Sequence, residues 1–411
     1  MPPMRLRAFG LFASALFAAS ALATAHCGLF ADPGEYTAGG APTEEDASAD
    51  VSRDGGAVPP DAVVLPDGNA VPPPSGHIAL VAGEREPLSP EDDPAWSADA
   101  YTGVIDVGGS VSGWTIEKSA PLVGSFDTGA LVGTTWFMVS TGFGLAGGRG
   151  TALQSTSWSP GVAGDWHAAR ANPPGGLDEH SRVIVGSRVF YVGGTRTVPV
   201  DGGTNTFFTN EIHAAEIDTA KRELGGSSGT GKQLVVARSR PGLVYGSGHL
   251  YVVGGRFGGG ITAGVEMVDI DAATGAVATV NEQPAMQADG ADHKVFLPSL
   301  VVADGYLFVA GGRTSGTNAP TDVVLSSKID PVTGALAPFQ TLTKLPKALR
   351  DFAFVAHKGR LYVLGGVTAG TPARTDDVLS ATINADGTVG AWSSANAKLP
   401  AARSDFVALA Y

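Results

Sequence analysis

The sequence predicts an all-β fold of six repeated four-stranded units closed into a ring, and three observations predict it. Fifty-seven of the 411 residues are Gly, about twice the usual share of roughly 7%, so turns are many and long helices few. Charged residues make up only 16% and hydrophobic ones 43%, which places much of the chain in buried or uncharged strands. From residue 77 onward the chain also repeats itself, with a period of about 55 residues in the range of propellers and solenoids.

The first element in the chain is not part of that repeat. Arg5 and Arg7 precede an apolar stretch from Ala8 to Ala25 that ends in Ala23-Thr24-Ala25, the pattern of a secretory signal peptide over residues 1–25. Cys27 follows directly, at the position where bacterial lipoproteins carry their lipidated cysteine, although His26 and Thr24 depart from the usual residues before it. Lipidation of Cys27 and cleavage after Ala25 with a free thiol both stay open. Residues 26–75 are rich in Pro, Gly, Ala and Asp without hydrophobic period. Nine acids in this stretch face the single base Arg53. It reads as a disordered, self-repelling tether.

Residues 76–411 are expected to form the folded domain. One marker is an aromatic-aliphatic strand ending in a Gly pair, as at Val189 to Gly194, Leu250 to Gly255, Leu307 to Gly312 and Leu361 to Gly366. Degenerate copies occur at Ile78 to Gly83 and at Trp136 to Thr141. A second marker is a β-branched residue with Asp or Asn entering a Gly turn, for example Ile270-Asp271 to Gly275 and Ile329-Asp330 to Gly334. This is hairpin chemistry, because Gly takes positive φ without steric cost. The third marker is a short apolar strand before each Gly-pair strand, from Ala130 to Val132 through to Phe406 to Ala410.

With the strands of a unit called a to d, the first unit lacks strand a and the chain ends on a spare one. The expectation is therefore a six-bladed β-propeller with four-stranded blades. One blade combines N-terminal strands b, c and d with the C-terminal strand a, which leaves no open sheet edge.

These repeats resemble the kelch-type propellers, best over residues 345–403, where LPKALRDFAFVAHKGRLYVLGG, DDVLSATINADGTVGAW and LPAAR stand in order. The blade Trp survives as Trp114, Trp166 and Trp392. The resemblance implies a bacterial exported propeller. Some proteins of that kind are sialic acid epimerases, so an enzyme acting on an acidic sugar is the alternative reading. It would need an acid or base such as Glu179, His180, His293 or Asp127 beside arginine. The radical copper site of galactose oxidase, in the same wider group, needs a cysteine within the propeller and is excluded.

Composition and spacing narrow the function. A single cysteine excludes intrachain disulfides, Cys-rich zinc sites and iron-sulfur clusters. A net charge of −13 argues against nucleic acid as partner. The eight His show no spacing typical of a metal site, and one acid with one Gly per turn suits a hairpin rather than calcium. No metal, cofactor or catalytic residue is assigned. The b-to-c and d-to-a connections share one face and are long, and arginines gather there: Arg182, Arg196, Arg256, Arg313, Arg350 and Arg403, with Arg85, Arg149, Arg238 and Arg240 nearby in sequence.

The six are the candidate binding residues for an anionic group, since guanidinium pairs with planar oxyanions. The competing reading is that they pair with Asp351, Asp405 and neighbours to lock blades together. The chain is expected to be an exported, cell-surface or secreted, monomeric, non-catalytic binding module for a protein or carbohydrate ligand. Any membrane contact would run through a lipid anchor.

Overall fold

The computed structural model describes residues 76–85, 95–145, 148–159, 162–171, 174–201, 203–314, 318–371 and 373–411. The expected export signal, the tether and Cys27 lie outside the described residues. Among those residues there is no helix, and every strand pair is antiparallel.

Turn chemistry sets the strands. Ser247 and Gly248 are both left-handed and join Gly242–Gly246 to His249–Val253, and Lys358 and Gly359 do the same between Ala353–His357 and Arg360–Leu364. Two such residues in succession give the turn whose twist matches the strands. At the same end of the sheets, in the next hairpin along, Asp271 Oδ1 accepts from the N–H of Ala273 and Thr274, and Asp330 Oδ1 from those of Val332 and Thr333. These bonds to the ionised form hold both carboxyls below the usual range. The Asp thus organises its own hairpin.

Six sheets built from the repeats result among the described residues, beside a three-stranded one of Leu177–Asp178, Thr195–Val200 and Gly203–Phe208 and two short hairpins. In the first, Gly76–Arg85 pairs with Ala95–Ile105, which pairs with Val111–Glu117; on its other edge Gly76–Arg85 pairs with Arg403–Ser404 and Val407–Ala410. The second sheet is Val123–Val132, Thr135–Leu145, Gly148–Ser159 and Val162–Ala171 in order. The third is Ser181–Val185, Arg188–Val192 and Glu211–Asp218, edged by Glu223–Leu224 and Ser228–Gln233. Gly242–Gly246 opens the fourth, Ser299–Ala303 the fifth and Ala353–His357 the sixth.

The opening strands of successive sheets touch one another in turn. Val123–Val132 touches Ser181–Val185, which touches Gly242–Gly246, and so on through Ser299–Ala303 and Ala353–His357 to Val407–Ala410, which touches Val123–Val132. The apolar cores lie between neighbouring sheets. Phe308 and Phe354 share one, Tyr251 and Leu307 another, and Phe190 and Leu250 a third.

Repeated polar latches join sheet to sheet. Tyr251 and Tyr362 donate their hydroxyls to the carbonyls of Gly334 and Gly109, 2.8 and 2.9 Å away in the turns of the following sheets. The Trp residues do related work: Trp114 Nε1 donates to Ala397 O, Trp166 Nε1 to Lys118 O and Trp392 Nε1 to Thr343 O. Each indole packs its ring while its single donor reaches a neighbouring unit, as a half-buried Trp requires.

The Gly pairs serve a tighter contact. Gly254 and Gly255 are left-handed at φ 65° and 106°. A Cβ on Gly254 would lie 2.2 Å from the Val295 carbonyl oxygen, which itself accepts from Gly255 N at 2.9 Å. The degenerate copy Ala82-Gly83 adopts the same conformation, at 68° and 98°. Ser140-Thr141 does not: there the strand simply runs on from Thr135 to Leu145.

Candidate functional site

Five of the connections entering the opening strands contain one left-handed non-glycine residue: Glu179, Arg240, Leu297, Asp351 and Asp405, with φ between 50° and 60°. Their backbones are chained. Arg240 N donates to Glu179 O at 2.9 Å, Leu297 N to Arg240 O at 3.0 Å, and Asp405 N to Asp351 O at 3.0 Å. The chain of bonds crosses from sheet to sheet, so the side chains of these residues and their neighbours collect in one place.

Charge is dense there. Arg240 pairs with Glu179 at 2.8 Å, and the Glu179 carboxylate also accepts from Ser239 Oγ. Arg313 and Arg350 both donate to Asp351 Oδ2, the former at 2.6 Å. The Arg256 and Arg313 guanidinium carbons lie 5.6 and 5.9 Å from the centre of the Phe296 ring, within cation–π range. Burial pushes Arg240 below its ordinary value; Glu179 pulls the other way, and the charges of Arg313 and Arg256 add to the lowering.

Asp405 is fully buried. Removal from water, then the charge of Asp351, pushes its carboxyl up to about 8. It therefore holds its proton more tightly than an ordinary aspartate does. Four guanidinium groups (Arg240, Arg256, Arg313, Arg350) thus meet the carboxylates Glu179 and Asp351, with the charges of Asp178 and Glu84 also felt there.

The six candidate arginines are thus split among several networks. Arg256, Arg313 and Arg350 come together through Phe296 and Asp351, and of these Arg256 is the exposed one. Arg182 is buried and donates from Nε to His180 Nε2 at 2.8 Å. Arg403 is fully buried, donating to the carbonyls of Ala82 and Ala401 with its guanidinium 4.7 Å from the Tyr101 ring centre. Arg238 holds the equivalent place in the fourth sheet, bonded to the carbonyls of Gly254 and Gly264 and to Glu266. For these three the packing role is the one the geometry displays. Among the other groups named from sequence, burial pushes His293 below its ordinary value, while the Asp127 and Arg149 side chains lie outside those described.

Arg196 belongs to a separate site. It starts a projecting hairpin, Thr195–Val200 paired with Gly203–Phe208. Its Nε and one terminal nitrogen clamp Glu211 at 2.8 and 2.5 Å, and its other terminal nitrogen donates to Gly175 O at 2.6 Å. That fork, together with His213 at 2.7 Å, holds the Glu211 carboxyl down at about 2. The three side chains border a cleft of about 560 Å³ completed by Ile212, Gly229, Gly231, Lys232 and Gln233. The Glu211–His213 pair was visible in the sequence only as two residues spaced by two on one strand face. Lys232 carried no sequence signal beyond its place in a Gly-rich stretch. Among the described residues no group of three or more His, Cys, Asp or Glu is arranged to hold a metal ion.

No protein-family model matches the chain, and no curated protein matches it in sequence. Among solved structures, one entitled "Structure of YjhT" is similar, with a TM-score of 0.52 at 13% identity, covering 78% of this chain and 97% of that one. At that identity the likeness speaks for the fold alone. The chain is an all-β protein of antiparallel sheets, consistent with a propeller.

Proposed function

We propose that the chain is a six-bladed kelch-type propeller acting as a binding module outside the cytoplasm, and that it takes an anionic group at the arginine arc beside Phe296. Pairing of Gly76–Arg85 with Val407–Ala410 supports ring closure by one composite blade. The Gly-pair strands and the Tyr and Trp latches support the kelch assignment. The observation that carries the binding reading is the local charge. An acidic chain here gathers four guanidinium groups in one place, and one of the four, Arg256, is exposed and forms no ion pair among the described residues. Such a patch attracts oxyanions against the overall field of the protein.

Dextran sulfate is a suitable probe, with neutral dextran as the control. Dextran sulfate alone is expected to bind, in a salt-dependent manner, and Arg256→Glu is expected to weaken it about tenfold or more, the worth of one charge-assisted contact. Binding indifferent to Arg256→Glu would overturn the site. Export is tested separately by the intact mass of the membrane fraction: added acyl chains on Cys27 mark a surface-anchored lipoprotein, and an unmodified thiol on a chain starting at His26 a secreted one. Retention of residues 1–25 in a cytoplasmic product would defeat the exported reading altogether.

A further inference from the structure

We infer that the cleft on the flank of the third sheet is a second, independent binding site, for a small organic oxyanion carrying an apolar group, with His213 and Lys232 as its ligating residues. The geometry begins with Glu211. Because Arg196 holds that carboxyl ionised, Glu211 only accepts, so the 2.7 Å contact requires His213 Nε2 to donate. The imidazole is thereby fixed in orientation, and Nδ1 is its nitrogen without a hydrogen-bond partner among the described residues. Gly229 stands at that side of the ring: a Cβ there would sit 3.8 Å from Cε1 and 4.0 Å from Nδ1. Its absence leaves the approach to the nitrogen open.

The opposite wall is shaped by an irregular strand. Glu211 pairs with Gln233 while His213 pairs with Gly229, so Thr230, Gly231 and Lys232 together oppose Ile212 alone. This is a bulge, a device that re-aims side chains beside sites. Gly231 supplies its left-handed residue, at φ 77°, and Thr230 Oγ1 pins it by donating to Ile212 O at 3.0 Å. The bulge delivers Lys232 to the cleft, where its ammonium forms no ion pair among the described residues.

The apolar part of the ligand follows from the hairpin. Arg196 faces Phe207 across its two strands, and Val198 and Val200 lie on the same face. All three apolar side chains are exposed, Phe207 at 43%. They continue outward from Arg196, which borders the cleft, on the same strand face. A volume of about 560 Å³ suits a small molecule, since such sites span roughly 300–1,000 Å³. In the complex the oxyanion accepts from Lys232 Nζ and from Nδ1–H of a doubly protonated His213. Glu211 on the opposite ring nitrogen balances the imidazolium charge, and the apolar body rests on Phe207 and Val198. Arg196 is a positioning residue here, its donors already committed to Glu211 and Gly175.

Phenyl phosphate and phenylacetate serve as probes, with benzyl alcohol as the uncharged control, in calorimetric titrations of the whole protein accompanied by nitrogen-15 spectra of the His213 ring. At least one oxyanion is expected to bind and to shift the Nδ1 resonance, and benzyl alcohol is expected not to. The tighter of the two oxyanions identifies the ligand as a phosphate ester or a carboxylate. His213→Asn and Lys232→Met should each raise Kd about tenfold or more, with the melting temperature confirming that each variant is folded. Arg256→Glu, in the arginine arc beside Phe296, should leave this Kd within about twofold, since well-separated sites act independently.

The inference falls if neither oxyanion binds, if benzyl alcohol binds equally well, or if Lys232→Met and His213→Asn leave the affinity unchanged. Binding abolished by Arg256→Glu but not by Lys232→Met would also overturn it, while leaving the site beside Phe296 standing.

Discussion

Asp405→Asn is expected to flatten the pH dependence of unfolding between about pH 4 and pH 8. The carboxyl is fully buried, one oxygen accepting from Ser404 Oγ at 2.5 Å, the other without a partner among the described residues. Desolvation, then the charges of Asp351 and Glu84, raise it to about 8, whereas an unfolded aspartate titrates near 3.9. The folded state therefore holds this proton more tightly than the unfolded chain does. Its contribution to stability is complete below about pH 4, declines as pH rises, and is gone once pH passes the folded value of about 8. One proton is worth at most ~1.4 kcal/mol per pH unit.

Asn keeps the shape of the protonated acid and cannot ionise, so the variant should lack this slope. Urea titrations every half unit from pH 4.5 to 8.5 read it directly, and a variant with the wild-type slope would remove Asp405 from the account. Glu211 does not interfere. Its carboxyl is depressed to about 2, so what it contributes is present above its ordinary value near 4.5 and is lost only as pH falls toward 2, below the range measured.

Gly254→Ala should be among the most damaging single methyl groups that the described glycines could receive. A left-handed Cβ costs about 1–2 kcal/mol by itself. The new methyl would also stand 2.2 Å from the Val295 carbonyl oxygen, a backbone atom that cannot rotate away, and overpacking of this kind adds roughly 1–3 kcal/mol. A loss of about 3–5 kcal/mol is expected from the two together. Gly248→Ala is the matched control, left-handed at φ 84° but with nothing within 4 Å of its Cβ position; it carries the first cost without the second. Equal losses in the two variants, read by denaturant unfolding, would show that the close approach of the connection is unimportant.

These two residues also mark where sequence reading succeeds and where it stops. The Gly pair at 254–255 is legible because its cause is local: only glycine tolerates the conformation and the approach at once. Ala82 shows that the rule bends, since it takes φ 68° at a site the aromatic-aliphatic run had already identified. Asp405 is different. Its position in the repeat was plain, but its protonation depends on Asp351, which comes from another sheet. The same holds for the arginines. Each was visible, yet whether Arg313 meets Asp351 or Arg238 meets Glu266 is decided by which connections the fold brings together. His213 and Lys232 lacked even a motif, because the bulge that joins them is a feature of strand pairing.

The pairing of Gly76–Arg85 on both edges has a consequence in time. Ala82 and Arg403, bonded in the native state, are 321 residues apart in sequence. The intervening sheets are made of local hairpins and are free to form as the chain emerges, but the oldest strand waits with one edge bare for a partner among the youngest residues. Folding should thus be quick for the middle of the chain and slow for its final seam, as long-range β pairing generally is. Until Val407–Ala410 arrives, the molecule is a train of finished sheets with one sticky margin, and that interval is when a neighbouring chain could dock in the vacant place.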